Sequence, residues 1–388
     1  MRILLSFLQD KTDQPHPVPG YRFWEFYIKN GINEAGMQYL EVPDADWAEG
    51  LIYTEGSAEL QRWKDKTWQA TINYIQNNPG KIDLFLCYLY PKQIEEHAIR
   101  QIQKLGIPCV NFYCDNVREF KTIPPQFKIF DLVWVPEYEA LPTYKAAKIK
   151  HINLPMPIWV APNFRDALLA KELPGATFIG SKDVLREQLL SEVMQKGLNV
   201  RIGGSGWLNT GNTNASAIPA KASLQQTLLN QYRFVQQHGL KGWAIRHTNR
   251  LQKAPVTVIP GDHLFESPAF EEYISITQNS TVTLGINRVP TYKKPNSHPL
   301  TYSRLRDIEA PMLGACYLTE YTDGLPHLYD LDKEIWSYKN ANELVEKANE
   351  LLKNKEKRTL LRRNGQQRAL NDHSIPRSLT LIRKIIFG

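Results

Sequence analysis

The sequence predicts an α/β protein built from two successive parallel-sheet units. Three observations carry this. Short apolar runs alternate with longer amphipathic stretches from one end of the chain to the other, the pattern of repeated β-α-β units. The 388 residues are enough for two domains. Finally, the stretch Leu154-Pro-Met-Pro-Ile-Trp-Val-Ala-Pro162 concentrates three prolines between the two series of runs, where neither a helix nor a central strand continues. It reads as a linker over 155–162, between an N-terminal unit 1–154 and a C-terminal unit 163–370, with 371–388 a basic closing helix.

In the first unit the spacing predicts strands at Arg2 to Leu8, Gly50 to Tyr53, Leu84 to Leu89, Pro108 to Tyr113, Leu132 to Pro136 and near Lys150 to Leu154. Helices fall between them. Glu59 to Asn77 keeps apolar residues near helical spacing and stops at Asn78-Pro79-Gly80; Lys92 to Leu105 stops at Gly106, with Pro108 beyond. After the linker come strand Ala176 to Ile179, helix Val184 to Lys196, strands Asn199 to Ile202, Val256 to Ile259 and Thr281 to Ile286, helix Leu305 to Leu313, strand Ala315 to Leu318 and helix Ala341 to Leu352. The polar region between Trp207 and Pro255, about 208–255, reads as an insertion with one helical candidate, Ser223 to Gln237.

Composition narrows the function. Hydrophobic residues make up 42% and charged residues 22%, with a mean hydropathy of −0.41, a globular profile that excludes a low-complexity or collagen-like chain. The apolar runs fall far short of the roughly 20 residues that cross a bilayer. The N-terminus reads as a first buried strand, not a signal peptide, so a cytoplasmic location is expected. Cys87, Cys109, Cys114 and Cys316 form no C-x-x-C pair and no zinc spacing, and reduced packing thiols are expected. The net charge of +7 is concentrated: Lys353 to Gly388 holds ten Lys/Arg against Glu356 and Asp372. Such a tail suits a solvated helical face first, then peripheral contact at the inner face of a membrane or with an anionic ligand; nucleic acid is the weakest reading.

Two parallel-sheet units with a hinge leave a cleft where ligands of open sheets bind, an architecture common to sensors, epimerases and transferases. The informative stretch is Arg304-Leu-Arg-Asp-Ile-Glu-Ala-Pro-Met-Leu-Gly-Ala-Cys-Tyr-Leu-Thr-Glu320, continued by Glu334-Ile-Trp-Ser-Tyr, Asn364-Gly365, His373 and Arg377. Upstream stand Phe178-Ile-Gly-Ser181, Arg186 and Ile202-Gly-Gly-Ser-Gly-Trp207. Over roughly Pro174 to Arg377, the insertion excepted, these residues resemble the donor half of GT-B glycosyltransferases, in particular the spore maturation protein CgeB-like group.

The resemblance implies two Rossmann-like domains facing across a cleft, a C-terminal helix crossing back to the first domain, and transfer of a hexosyl group from a nucleoside-diphosphate sugar to a hydroxyl acceptor, with no metal. By resemblance Glu309 binds the donor ribose, which suits a carboxylate accepting from a diol. Arg186, Arg304 and Arg306, with Lys182, are the cations that would meet a diphosphate. Gly180 and Ser181 close the first strand of the second unit; Gly204, Gly314, Thr319 and Glu320 complete the expected donor contacts, the glycines allowing close backbone approach. Where many retaining members carry a first glutamate, eight positions before Glu309, this chain has Thr301, so retention and inversion both stay open. An inverting enzyme needs a base in the first unit: Asp115, directly after a predicted strand, leads, and His16 follows. The alternative is a non-catalytic two-lobed nucleotide- or sugar-binding regulator.

Overall fold

The computed structural model describes residues 1–9, 21–43, 45–208, 231–232, 235, 239–240, 242–244, 247–248, 259–289 and 299–388. His16, most of the insertion, and all but the last residue of the strand predicted over Val256 to Ile259 lie outside them. The chain divides into two compact units, Met1–Trp159 with Asn371–Gly388, and Val160–Leu370. No helix among the described residues is long and apolar enough to cross a membrane.

Unit 1 is a six-stranded parallel sheet in the order β2-β1-β3-β4-β5-β6, with β1 Arg2–Ser6, β2 Gln38–Leu40, β3 Leu84–Cys87, β4 Cys109–Phe112, β5 Leu132–Val135 and β6 His151–Asn153. The central strands β3, β4 and β5 are buried at every position, as strands covered by helices on both faces must be, and this is why they read as unbroken apolar runs. One face carries Trp47, Trp63 and Trp68 with Phe85 against α2 Ala58–Gln76. The other carries Phe7, Tyr88, Phe112 and Trp134 with Trp24 of α1 Tyr21–Glu34. The aromatic residues of α1 are thus partly core, Trp24 and Tyr27 being buried, while Phe26 packs edge-on to Trp159.

One predicted strand, Gly50 to Tyr53, is corrected. Residues Glu49–Leu51 form a 3-10 turn because the Asp46 carboxylate accepts the Glu49 N–H at 2.9 Å and Gly50 lies flat against the Trp63 ring. The sheet position is taken instead by β2, too short and too exposed to show a pattern. The remaining helices of this unit are α3 Glu96–Lys104, α4 Asn116–Glu119 and α5 Leu141–Ala146.

Unit 2 is a second six-stranded parallel sheet, β14-β13-β10-β7-β8-β9, from β7 Leu173–Ile179, β8 Val200–Gly203, β9 Leu264–Phe265, β10 Ser280–Gly285, β13 Tyr317–Glu320 and β14 Trp336–Tyr338, with the small antiparallel pair β11 Arg288–Val289 and β12 Leu300–Thr301 beside it. Its helices are α6 Val184–Gln195, α7 Phe270–Asn279, α8 Arg306–Met312, α9 Leu325–Leu328, α10 Ala341–Lys353 and α11 Lys355–Asp372. Counted along the chain, the sheet runs third-second-first-fourth-fifth-sixth, the dinucleotide-binding order, and its direction reverses between β7 and β10. Ligands of such sheets bind beyond the carboxyl ends at that reversal.

The C-terminal helix α12 Ile375–Phe387 belongs to the first unit and packs on α1. The contact is close: a Cβ at Gly31 would stand 2.5 Å from Ile375 Cβ. Gly31→Val is therefore expected to lever α12 from α1, because the clash is with a branched carbon held by its own backbone. Limited proteolysis should then remove the last turns of the chain from the variant and spare the parent; equal resistance would show that the seat tolerates the added methyls.

Candidate active site

The residues singled out in the second unit gather at the reversal of its sheet for a reason of connectivity. In a parallel sheet every helix that follows a strand begins at the carboxyl edge, so the first turns of α6 and α8 open on the same edge as the ends of β7 and β10. Arg186 lies in the first turn of α6, where Asp183 caps the helix by accepting the N–H groups of Leu185 and Arg186 at 2.9 and 3.0 Å. Arg304 and Arg306 lie at the start of α8.

Arg186 is 9% exposed and its Nη1 donates to the Ser181 carbonyl and hydroxyl at 2.8 and 3.0 Å. Its Nε stands 3.2 Å from Asp183 Oδ2 without hydrogen-bonding alignment, and that nitrogen is buried without an acceptor among the described residues. Burial first, then the charges of Arg304 and Arg306, push the Arg186 guanidinium down to about 10. Arg304 and Arg306 thus repel the Arg186 guanidinium while Asp183 attracts it; Arg306, in spite of the burial that lowers it, is held above its ordinary value by Tyr273 and Glu309. The buried, lowered Arg186 is the member of this cluster that an incoming anion would favour most.

Glu309, one helical turn from Arg306, is 2% exposed and accepts a hydrogen bond from the Tyr273 hydroxyl of α7. The Arg306 guanidinium sits 5.2 Å from the centre of the Tyr273 ring. Tyr273, whose hydroxyl is pushed up chiefly by burial, joins the two α8 residues to a helix that pattern reading did not find, and no spacing in the sequence marks it.

Gly180 and Gly204 are brought together backbone to backbone. The Gly180 N–H donates to Gly203 O at 2.9 Å, Trp207 Nε1 donates to Gly180 O at 2.6 Å, and a Cβ at Gly204, whose φ is +121°, would lie 2.4 Å from that same oxygen. The two glycines let the loops after β7 and β8 clasp, so their place is the wall of the site.

Three further residues expected among the donor contacts are engaged by the fold's own partners. Gly314 donates its N–H to Pro311 O, its carbonyl accepts from Arg362, and a Cβ there would meet Ala167 at 2.7 Å; it is a helix-stopping, packing glycine with φ +73°. Thr319 is fully buried, donating to Asp307 Oδ1 at 2.9 Å. Glu320 is 3% exposed: Oε2 takes the N–H groups of Asn287 and Arg288, and Oε1 takes the Arg288 guanidinium at 2.8 and 2.5 Å. Both residues hold the strap after β10 in place from within.

The hub of this support is Asp307, which sequence reading passed over. It is fully buried and accepts from Asn287 Nδ2 (3.0 Å), the Arg304 N–H (3.0 Å), the Tyr317 hydroxyl (2.8 Å) and the Thr319 hydroxyl. Burial pushes its carboxyl up, and these donors work against that. One side chain thereby ties the start of α8 to β13 and to the end of β10.

In unit 1, Asp115 closes β4 and enters α4 with φ 64° and ψ 19°, and its side chain does not cap that helix. It is half-buried, with Cys114, 7% exposed, before it and Asn116, 1% exposed, after it. All four cysteines are free and buried, and burial pushes the Cys316 thiol up to about 12. Among the described residues no three His, Cys, Asp or Glu side chains converge as a metal ion requires. Of the D-x-D match, Asp44 lies outside the described residues and Asp46 caps the turn at Glu49.

The glycosyl transferase-like family profile matches residues 186–383, just over half of the chain and most of the second unit. The chain belongs to the glycosyl transferase-like family. Solved structures of the same fold accompany it at low identity. The chain superposes on a glycosyltransferase from Rickettsia africae with a TM-score of 0.59 at 10% identity, covering 100% of this chain and 99% of that one. With sucrose-phosphate synthase from Thermosynechococcus elongatus the TM-score is 0.54 at 12% identity, over 100% and 98%. With HepE from Anabaena in complex with UDP it is 0.54 at 10%, over 99% of each chain. No curated protein sequence matches the chain. The fold is therefore GT-B, and the protein is a glycosyltransferase.

Proposed function

We propose that this glycosyltransferase moves a hexosyl group from a nucleoside-diphosphate sugar to an acceptor hydroxyl without a metal ion, within the CgeB-like branch of the family. The observation that carries the reading is the cluster of Arg186, Arg304 and Arg306 at the reversal of a dinucleotide-binding sheet, Arg186 among them buried and lowered, with a buried carboxylate, Glu309, beside it. The arginines take the diphosphate, and Glu309, held at one oxygen by Tyr273, takes the ribose diol. HepE from Anabaena, a protein of the same fold, has been solved with UDP and with UDP-glucose, which favours a uridine donor.

In transfer, the bond from the anomeric carbon to the diphosphate breaks, and the negative charge that develops on the leaving oxygen falls on the arginine cluster. A bond forms to the acceptor oxygen, whose proton passes to a base for which Asp115 is the candidate in the first unit. His16, the second candidate, lies outside the described residues.

The test is thermal unfolding and calorimetry with UDP, GDP, CDP, TDP and ADP and their common sugars, each with and without EDTA. One nucleotide series should stabilise the protein, by about 2.7 kcal/mol at a hundredfold excess over Kd, and EDTA should leave this unchanged. Glu309→Ala should weaken that nucleotide by about tenfold to a hundredfold, the loss of one charge-assisted pair of hydrogen bonds. No stabilisation by any series, in a folded protein, would overturn the nucleoside-diphosphate sugar as the donor.

A further inference from the structure

Beneath Asp115 lies a second carboxylate that the proposed transfer does not use. Glu137 follows β5, is fully buried, and takes the Val117 N–H on Oε2 at 3.3 Å, with the backbone N–H and side-chain amide of Asn116 also directed to it. Its other oxygen, Oε1, is buried without a hydrogen-bond partner among the described residues. Asn116 is itself fixed: its Nδ2 donates to Tyr113 O at 2.9 Å and its Oδ1 accepts from the Tyr144 hydroxyl at 2.7 Å. The turn braced in this way holds Asp115 in the left-handed region, which residues with a side chain rarely adopt and which persists only where the surroundings over-determine it.

We propose that Glu137 is the positioning residue of Asp115: it grips the N–H groups of Asn116 and Val117 and so fixes the left-handed backbone that places the Asp115 carboxylate at the end of β4. This rests on the reading of Asp115 as the proton acceptor.

The charge balance agrees with the geometry. Facing Glu137 are Asp115, Asn116 and Val117 from the turn, Cys114 from the end of β4 and Tyr144 from α5. Burial first, then the Asp115 charge, push the Glu137 carboxyl up to about 8. At neutral pH Glu137 therefore keeps its proton. The folded chain keeps a proton on Glu137 that the unfolded chain has lost. Its stability accordingly falls as pH rises from the ordinary carboxylate range to about 8 and is level above it.

The experiment uses the full chain, as parent, Glu137→Gln and Glu137→Ala. Glutamine can still accept the two N–H groups but cannot ionise. The melting temperature of Glu137→Gln should therefore gain on the parent by about 5 °C or more between pH 5 and pH 8 and no further above. Parallel curves overturn the buried neutral carboxyl. Release of UDP from UDP-glucose, with water as acceptor, reads the positioning: Glu137→Ala should lose at least tenfold in kcat at unchanged KM, and Glu137→Gln should recover most of it. Equal rates in parent and Glu137→Ala, or equal loss in both variants, overturn the positioning role. If Glu137→Ala does not fold, the Gln variant decides through its pH curve and its kcat. UDP calorimetry separates the two failures: a parent that binds no UDP unseats the uridine donor, while the pH curves still judge Glu137.

Discussion

Arg186→Met is expected to leave a protein that is more stable when empty and blind to its donor. The guanidinium stands in a buried position among like charges, lowered to about 10 from 12.5, a disadvantage on the order of 3 kcal/mol for the charged form. Methionine removes that charge while keeping the apolar stem, and gives up two hydrogen bonds to Ser181 worth about 1 kcal/mol each. The balance is a rise in melting temperature of about 2–4 °C. Its sign follows from the direction of the shift. A base whose folded pKa is depressed is charged at a cost everywhere below that pKa, so the gain should be the same from pH 6 to pH 9. The nucleotide-induced stabilisation of the parent should vanish. A variant that melts lower than the parent when empty, or that still responds fully to nucleotide, would show that Arg186 serves the fold and not the anion.

Asp307→Ala should act in the opposite sense. Four donors, from Asn287, Tyr317, Thr319 and the Arg304 backbone, lose their common acceptor inside the second unit. Leaving them unpaired costs roughly 3–5 kcal/mol. A fall of about 10 °C in the melting temperature is expected, together with loss of nucleotide binding, because the start of α8 and its arginines are no longer tied to β13. A fall of less than 3 °C in calorimetry would place the support of α8 elsewhere. The pairing of these two variants is diagnostic: one residue of the cluster is expected to be a burden to the empty fold, and its support is expected to be indispensable to it.

How much of this was legible in the linear chain differs from residue to residue. Central strands such as Leu84–Cys87 and Leu132–Val135 are buried on both faces and therefore announce themselves as apolar runs. The edge strand Gln38–Leu40 is half solvated and three residues long, and it has no such signature. Gly50 to Tyr53 reads as a strand because a short apolar run looks the same in a buried 3-10 turn, here with Gly50 against Trp63 and Leu51 buried, as in a sheet. Arg186, Arg304, Arg306 and Glu309 stand at the starts of α6 and α8, and helix starts after parallel strands share one edge, so residues located in the sequence are also located in space. Gly314, Thr319 and Glu320 belong to the same motif and yet face inward, since which way a residue points at a helix end or on a covered strand depends on what packs against it.

The sequence by itself determined the two parallel-sheet units, the run of prolines between them and the identity of the charged residues at the helix starts, because local periodicity and turn chemistry depend on near neighbours. Only the tertiary structure decided that Asp307 is a hub, that Tyr273 holds Glu309, and that Glu137 lies under Asp115. Each depends on a partner 20 to 36 residues away: Asn287 for Asp307, Tyr273 for Glu309 and Val117 for Glu137. The worth of a buried carboxylate is set by the donors and charges that folding brings to it.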